Sequence, residues 1–260
     1  MPLTAPRADR LSALRAEVRA IEAARAADNG GALPFGIDAI DRRLAGGGLA
    51  MAALHEVAGA RPDPCDDAAA TLFLAGIAAR LAAARTGSNI LWALGRRDLF
   101  APGLARAGLG PDRLIYAEVM RDEDVLAVME EGLRHGRLAA VIGEVGRATM
   151  GATRRLQLAA EEGGTMALML KRWRRSGEDP LAMPSAAVTR WRIASASSAP
   201  LPAAGVGRAR WHTILARQRG GEPFKWMMEA CDAEGRLALF AEFEHGPDQS
   251  DGREKRRAAA

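Results

Sequence analysis

The chain has 260 residues, enough for one large domain or two small ones, and 48% of them are hydrophobic, so a sizeable core can form. Arg7, Asp9 and Arg10 come early without a following apolar segment, which argues against a secretory signal peptide, and we expect no run of membrane-spanning length. Two distant cysteines and four scattered histidines predict no disulfide and no metal site. We therefore expect a cytoplasmic protein that makes no membrane contact.

Positive charge is concentrated late in the chain. The formal net charge is +4, yet residues 171–225 contain 11 basic and only 3 acidic side chains. Such a segment favours a polyanion or an acidic protein surface as partner. An arginine-rich solvated surface without a specific partner explains the same numbers, because 33 of the 36 basic residues are arginine. Charge alone leaves both interpretations open.

The first predicted element is an amphipathic helix within residues 1–30. Leu11, Leu14, Val18 and Ile21 recur at spacings of three and four and form one apolar stripe. The stripe is a candidate surface for packing on the chain's own core, on another subunit or on a partner.

Strand-like and helix-like segments then alternate through residues 31–244, which we take as one core domain. The predicted strands are 54–58, 89–94, 113–117, 138–145 and 165–170, separated by helices at 66–84, 99–107, 122–135 and 149–161. This order predicts an α/β fold with a mostly parallel sheet flanked by helices. Later strand-like segments at 187–194, 209–217, 224–230 and 236–243 have no helices between them, which predicts an antiparallel extension. The charged, Gly/Pro-rich residues 245–260 are predicted to be a disordered basic tail.

The turn after the first core strand occupies the place where nucleotide-binding α/β domains hold phosphates. Such turns need backbone N–H donors, a lysine and a Ser or Thr for Mg²⁺. The loop that starts at Gly59 has no such motif, and Pro62 and Pro64 remove two donors. Its charged side chains are one cation and three carboxylates, namely Arg61, Asp63, Asp66 and Asp67. We expect this loop to repel a triphosphate, and we predict no nucleotide cofactor and no enzymatic activity.

Several tracts, in this order and spacing, make the chain similar to the RecA-like superfamily. They are Phe35–Leu49, Phe100–Arg106, Asp124–Ala140 and Arg217–Lys225. Within that superfamily the chain resembles the ImuA family, through Leu33–Asp38, Gly46–Gly48 followed by Leu54–Gly59, and Arg217–Phe224.

The ImuA resemblance implies a non-catalytic accessory protein in SOS-induced mutagenic translesion DNA synthesis. Its implied partners are ImuB, an inactive polymerase-like protein, and an error-prone replicative-type DNA polymerase. RecA filaments and single-stranded DNA are further candidate partners, and the implied location during DNA damage is the nucleoid.

Most of the nucleotide-binding and catalytic residues of RecA have no counterpart at the matching positions of this chain. The phosphate-loop lysine and threonine positions fall within Asp63–Asp67, and the catalytic glutamate position falls near Gly95–Arg97, where the side chains are basic. The acidic position that ends the Mg²⁺-coordinating strand falls at Gly143. We expect the adjacent Glu144 to be a poor substitute, because a shift of one residue turns a side chain to the other face of a strand.

One cationic tract matches a functional part of RecA. Arg217 and Arg219, followed by Lys225, stand where RecA has lysines that contact the nucleotide of a neighbouring subunit. The resemblance makes these three residues candidates for an interface in trans. Positions two apart on a strand share one face, so both arginines should point the same way. A solvated strand edge that discourages aggregation explains the same pattern.

The resemblance also places DNA-binding loops after the later parallel strands. Candidate contacts are the four cations and one indole of the run Lys171, Arg172, Trp173, Arg174 and Arg175, since cations neutralise phosphates and an aromatic ring can stack on a base. Trp191 and Trp211 alternate with arginines in predicted strands, so we expect their rings to face the core.

Two alternative functions stay open on the sequence. One is a divergent DNA-dependent ATPase, against which the missing phosphate-loop lysine argues. The other is an SOS cell-division inhibitor from a RecA-derived branch, whose members are shorter than this chain.

Overall fold

The structure is a computed structural model that describes residues 30–174, 177–198, 201 and 204–239, with scattered positions between 10 and 24. Leu11, Arg175 and the predicted tail 245–260 lie outside the described residues. The described N-terminal positions are helical, and Leu14, Val18 and Ile21 are exposed. The apolar stripe is therefore not covered by the described part of the core, and its role in contacts with a partner or subunit stays a prediction.

The described secondary structure follows the predicted order. The strands are β1 (Ala32–Leu33), β2 (Leu49–Ala50), β3 (Leu54–Gly59), β4 (Ile90–Leu94), β5 (Leu114–Glu118), β6 (Ala140–Val145), β7 (Met166–Lys171), β8 (Thr189–Ala196), β9 (Arg210–Gln218), β10 (Phe224–Glu229) and β11 (Ala238–Leu239). The helices are α1 (Asp38–Asp41), α2 (Pro64–Ala84), α3 (Ala101–Arg106), α4 (Asp122–His135) and α5 (Met150–Gly163), with a 3-10 turn at Pro111–Arg113.

The main sheet has the strand order β11-β10-β9-β8-β3-β7-β6-β4-β5. From β8 to β5 all neighbouring strands are parallel. From β8 through β11 the neighbours are antiparallel. This confirms the predicted fold class, a mostly parallel sheet flanked by helices with an antiparallel C-terminal extension. β1 and β2 form a separate antiparallel pair.

The two faces of the sheet are covered by different helices. On one face, α2 packs against β3 and β8, and its Phe73 lies in one core with Trp191 and Trp211. Both tryptophans are buried, as predicted. On the other face, α4 and α5 bury side chains such as Met129 and Leu156. The carboxyl ends of the parallel strands stay outside both helical layers.

Helix α2 corrects one expectation from the sequence. By length and apolar composition alone its 21 residues could cross a membrane, contrary to the expected absence of such a run. In the fold, 67% of its most apolar stretch is buried inside the domain. The composition of α2 therefore fits a core helix that is packed against the sheet.

A chain of buried polar groups joins β3 to β8. Trp191 donates its indole N–H to the Thr189 hydroxyl oxygen at 2.7 Å, and that hydroxyl lies 2.7 Å from Nδ1 of His55. The other His55 nitrogen lies 2.9 Å from the carbonyl oxygen of Ala50. Burial lowers the pKa of His55 to about 4, so the ring is neutral and can both accept and donate in this chain.

Candidate functional site

The candidate site lies at the carboxyl edge of the sheet, where β3, β4, β6 and β7 end. Open parallel sheets bind ligands outside these strand ends, because the loops there converge from several strands. In this chain the segments at that edge are Gly59–Asp63, Gly95–Phe100, Gly146–Thr149 and Arg172–Arg174.

The loop after β3 uses its own carboxylates where a phosphate would bind. Asp63 caps α2 by accepting the N–H groups of Cys65 at 2.8 Å and Asp66 at 3.3 Å. Asp66 is buried, pairs with Arg61 at 2.9 Å, and accepts the backbone N–H and hydroxyl of Ser195 at 2.8 and 2.9 Å. Burial raises the pKa of Asp66, but the Arg61 and Ser195 hydrogen bonds outweigh it and hold the pKa below its ordinary value. The helix N-terminus is thus already occupied by negative charge.

Next to this loop, one mostly buried arginine is surrounded by three carboxylates, and we call Arg172, Asp67, Asp98 and Glu144 the arginine cluster. The Arg172 guanidinium lies 2.9 Å from Glu144, 3.2 Å from Asp67 and 3.7 Å from Asp98. Only 11% of the Arg172 side chain is exposed. Burial lowers the pKa of Arg172, but attraction to Glu144 and Asp67 outweighs it and the pKa is raised. Arg172 therefore neutralises the edge of the sheet from within the chain.

Glu144 and Asp98 correct two expectations about acidic residues. Glu144 lies on the face of the sheet that carries the site, where Trp92 donates its indole N–H to it at 2.8 Å. Burial raises the pKa of Glu144, against the opposing attraction of Arg172. The Glu144 side chain therefore lies on the face that carries the site, whereas the shift of one residue from Gly143 predicted the opposite face. Asp98 also brings a carboxylate beside the stretch Gly95–Arg97, where the sequence predicts basic side chains only.

The structure also corrects part of the predicted DNA-contact run. Lys171 is 1% exposed and Arg172 belongs to the arginine cluster, so neither side chain is available on the surface for DNA. Burial lowers the pKa of Lys171. Trp173 is partly buried and donates its indole N–H to the carbonyl of Gly59 at 2.9 Å. Arg174 is exposed, so DNA contact by Trp173 and Arg174 stays a prediction.

Part of the charge imbalance along the sequence is offset by ion pairs in the fold. Three cations of the basic segment pair with carboxylates from earlier in the chain: Arg172 with Glu144, Arg174 with Asp122 and Arg190 with Glu56. Asp122 also accepts the backbone N–H groups of Gly146 and Arg147, which ties the loops after β6 and β7 together. The composition of residues 171–225 by itself therefore does not indicate a polyanion site.

Of the two arginines predicted to act in trans, Arg217 lies on β9 and Arg219 lies in the turn directly after it. Arg217 donates to the carbonyl of Ser185 at 2.9 Å, and Arg219 donates to that of Ala186 at 3.1 Å. Gln218 between them is buried and turned the other way. Within one chain both arginines thus hold the segment that leads into β8. Lys225 is exposed on β10, and contact with a neighbour by these three cations stays a prediction.

A cavity of about 510 Å³ opens beside the arginine cluster. Its apolar wall consists of Pro62, Pro64, Ala68, Leu72, Leu99, Phe100, Leu104 and Trp173, and its charged side chains are Asp63, Asp67, Asp98, Arg96, Arg172 and Arg174. Sequence reasoning missed this cavity, because its wall combines loops after β3, β4 and β7 with helices α2 and α3.

Comparison with known proteins adds a family to this geometry. No family model matches the sequence. Protein ImuA of Caulobacter vibrioides, from strain NA1000/CB15N and from strain ATCC 19089/CIP 103742/CB 15, is in each case 37% identical over 206 residues. The match covers 77% of this chain and 84% of each relative. An identity of this size over most of both chains shows that this chain belongs to the ImuA family.

Proposed function

We propose that this chain is a non-catalytic, RecA-like accessory protein of SOS-induced mutagenic translesion synthesis. Membership of the ImuA family supports the accessory role in SOS mutagenesis. The non-catalytic part depends on one observation, which is that the arginine cluster and the capped α2 N-terminus occupy the phosphate position with this chain's own charges.

The electrostatics of the edge argue against nucleotide hydrolysis. A triphosphate at the N-terminus of α2 would meet the carboxylates of Asp63 and Asp67, and Pro62 and Pro64 offer it no N–H donors. Arg172, a cation that lines the cavity beside this helix end, already has three carboxylate partners. Releasing it for a phosphate would leave those carboxylates clustered without a counter-charge, which is strongly unfavourable.

The proposed partners are ImuB and an error-prone replicative-type polymerase, in the cytoplasm and at the nucleoid during DNA damage. RecA filaments and single-stranded DNA are proposed as additional contacts. Arg217, Arg219 and Lys225 are the proposed contacts to a RecA-type neighbour, because the two arginines donate to adjacent carbonyl groups, those of Ser185 and Ala186, and each guanidinium keeps further N–H donors.

Replacing Arg217 and Arg219 together with alanine should weaken association with RecA–ATP–DNA filaments by about tenfold or more, because two charge-assisted contacts are lost. Purified full-length chain would be measured against filaments and, separately, against ImuB by surface plasmon resonance. The matched control is the double variant Arg137→Ala, Arg154→Ala, which removes two exposed cations elsewhere. Co-purification of the wild type with ImuB supports the accessory role. Absence of both ImuB and filament binding would contradict the proposed function, whereas filament binding unchanged in the double variant would contradict only the role in trans.

A further inference from the structure

The apolar wall of the cavity reaches the surface at an unusually exposed aromatic side chain. Phe100 lies at the cavity and is 70% exposed. Its ring lies over Gly103, where even a Cβ atom would come within 3.2 Å of the ring. Met120, 90% exposed, follows Val119, whose N–H donates to the Leu94 carbonyl at 3.0 Å and so ties the ends of β5 and β4 together. A largely apolar cavity with an exposed aromatic side chain at its mouth is typical of an interaction site.

At this corner of the domain, where β4, β5 and β7 end, arginine side chains are more exposed than the carboxylates with which they pair. We call Arg96, Arg97, Arg121 and Arg174 the arginine rim. The arginines there are 58–83% exposed, while the carboxylates that pair with them are only 17–47% exposed. The pairs are Arg96 with Asp98, Arg97 with Glu118, Arg121 with Asp124 and Arg174 with Asp122. A partner therefore meets guanidinium groups first, with donors still free for additional acceptors because each guanidinium carries five N–H groups.

The interior of the cavity carries charges that are already paired within the chain. Asp67 and Asp98 line it, and both hold Arg172. A phosphate group entering the cavity would have to compete with these carboxylates for Arg172, whereas an uncharged side chain would contact Leu72, Leu99 and Trp173 without disturbing those ion pairs. A volume of about 510 Å³ is ample for one large side chain. The arrangement therefore selects an apolar anchor inside the cavity and acidic groups outside it.

We propose that this cavity and its arginine rim are a docking site for an acidic peptide segment of a partner protein, which inserts one aromatic or large aliphatic side chain against Phe100. The proposal deepens the proposed function and rests on it, because a site without nucleotide chemistry is free to serve assembly. Interfaces of this kind depend on a central anchor in a pocket, surrounded by polar contacts that contribute less.

The first test is selection of a random peptide library displayed on phage against the full chain. Enriched sequences should share one aromatic or large aliphatic residue flanked by aspartates or glutamates. The best such peptide, fluorescein-labelled, should then lose at least about tenfold in affinity for Phe100→Ala, since the variant removes the aromatic surface that the anchor buries. The matched control is Leu158→Ala, which truncates an exposed apolar side chain on α5. No enrichment, enrichment of a non-acidic motif, or equal affinity of the two variants would overturn the proposal.

The second test addresses the rim and the alternative of nucleic acid. Arg96→Glu with Arg121→Glu should abolish peptide binding, while Arg154→Glu, an exposed cation on α5, should leave it within about twofold. An oligothymidylate should not displace the peptide. Displacement by the oligonucleotide, together with oligonucleotide binding that Phe100→Ala weakens, would assign the corner to nucleic acid instead. Because ImuB co-purification is measured separately, failure of the peptide site leaves a distinguishable result for the accessory function.

Discussion

Replacing Arg172 with methionine is expected to lower the free energy of unfolding by about 3 kcal/mol or more at neutral pH, because it leaves a partly buried group of carboxylates without their cation. Methionine keeps most of the side-chain volume, so the change reports mainly the lost charge. Glu144 is most affected, since its side chain is only 3% exposed and Arg172 is its nearest cation. Urea unfolding of both proteins would measure the difference.

Acid should reduce this loss of stability. Burial already raises the pKa of Glu144, and removal of Arg172 raises it further, since the opposing attraction disappears. A carboxyl group with a raised pKa in the folded state costs stability above that pKa and stops costing it once protonated. The gap between variant and wild type should therefore shrink as the pH falls from neutral towards 4.5, the ordinary glutamate value.

The matched control for Arg172 is two residues further along the same loop. Arg174→Met removes an ion pair with Asp122 from a side chain that is 58% exposed, and should cost no more than about 1 kcal/mol. Adding Glu144→Gln to Arg172→Met should restore part of the lost stability. Equal effects of the two arginine variants, or a loss that does not change with pH, would contradict this account of the arginine cluster.

Arg190→Met should be at least as damaging, at about 3–5 kcal/mol, because Glu56 lies in the middle of the parallel sheet and would be left buried and charged. Glu56 is 1% exposed and Arg190 is 11% exposed, with 2.7 Å between them. The other oxygen of Glu56 accepts the Ser185 hydroxyl at 2.7 Å. On the same face of β8, Arg192→Met is the control, since its pair with Asp179 is more exposed and should contribute far less.

A second readout separates this prediction from general destabilisation. Arg190 also donates to the Met183 carbonyl at 3.0 Å, so it ties down the segment that leads into β8. Hydrogen exchange should therefore accelerate in residues 183–188 of Arg190→Met more than in α4. Uniform acceleration, or stability equal to that of the Arg192→Met control, would contradict the assigned role of the Glu56–Arg190 pair.

The sequence was sufficient for the fold because its signals are local. Apolar periodicity and the alternation of segments predicted the parallel sheet, and the spacing of Trp191 and Trp211 placed both rings in the core. The prediction that Lys171 and Arg172 contact DNA was wrong for a reason that is also physical. β7 extends through Lys171, so the side chain of Lys171 is buried. The next residue, Arg172, is part of the arginine cluster. Composition alone cannot distinguish such buried cations from surface ones.

The arginine cluster depended on information that no local pattern contains. Its members come from α2, the loop after β4, strand β6 and the loop after β7. Only the strand order β3-β7-β6-β4 brings these positions together. The acid-rich loop is the sequence feature on which the prediction of lost phosphate chemistry depends. The ion pairs of Arg172 with three carboxylates at this edge are tertiary contacts, which the sequence alone does not reveal.

The central claim is that the carboxyl edge of this sheet has been changed from nucleotide chemistry to internal charge balance. It is tested most directly by ATP turnover of the purified full chain, with Mg²⁺, in the presence and absence of single-stranded DNA. We predict release of phosphate no faster than from ATP with buffer alone, and no difference between the wild type and Arg61→Ala. Turnover that follows the protein through purification and is abolished by Arg61→Ala would contradict the account.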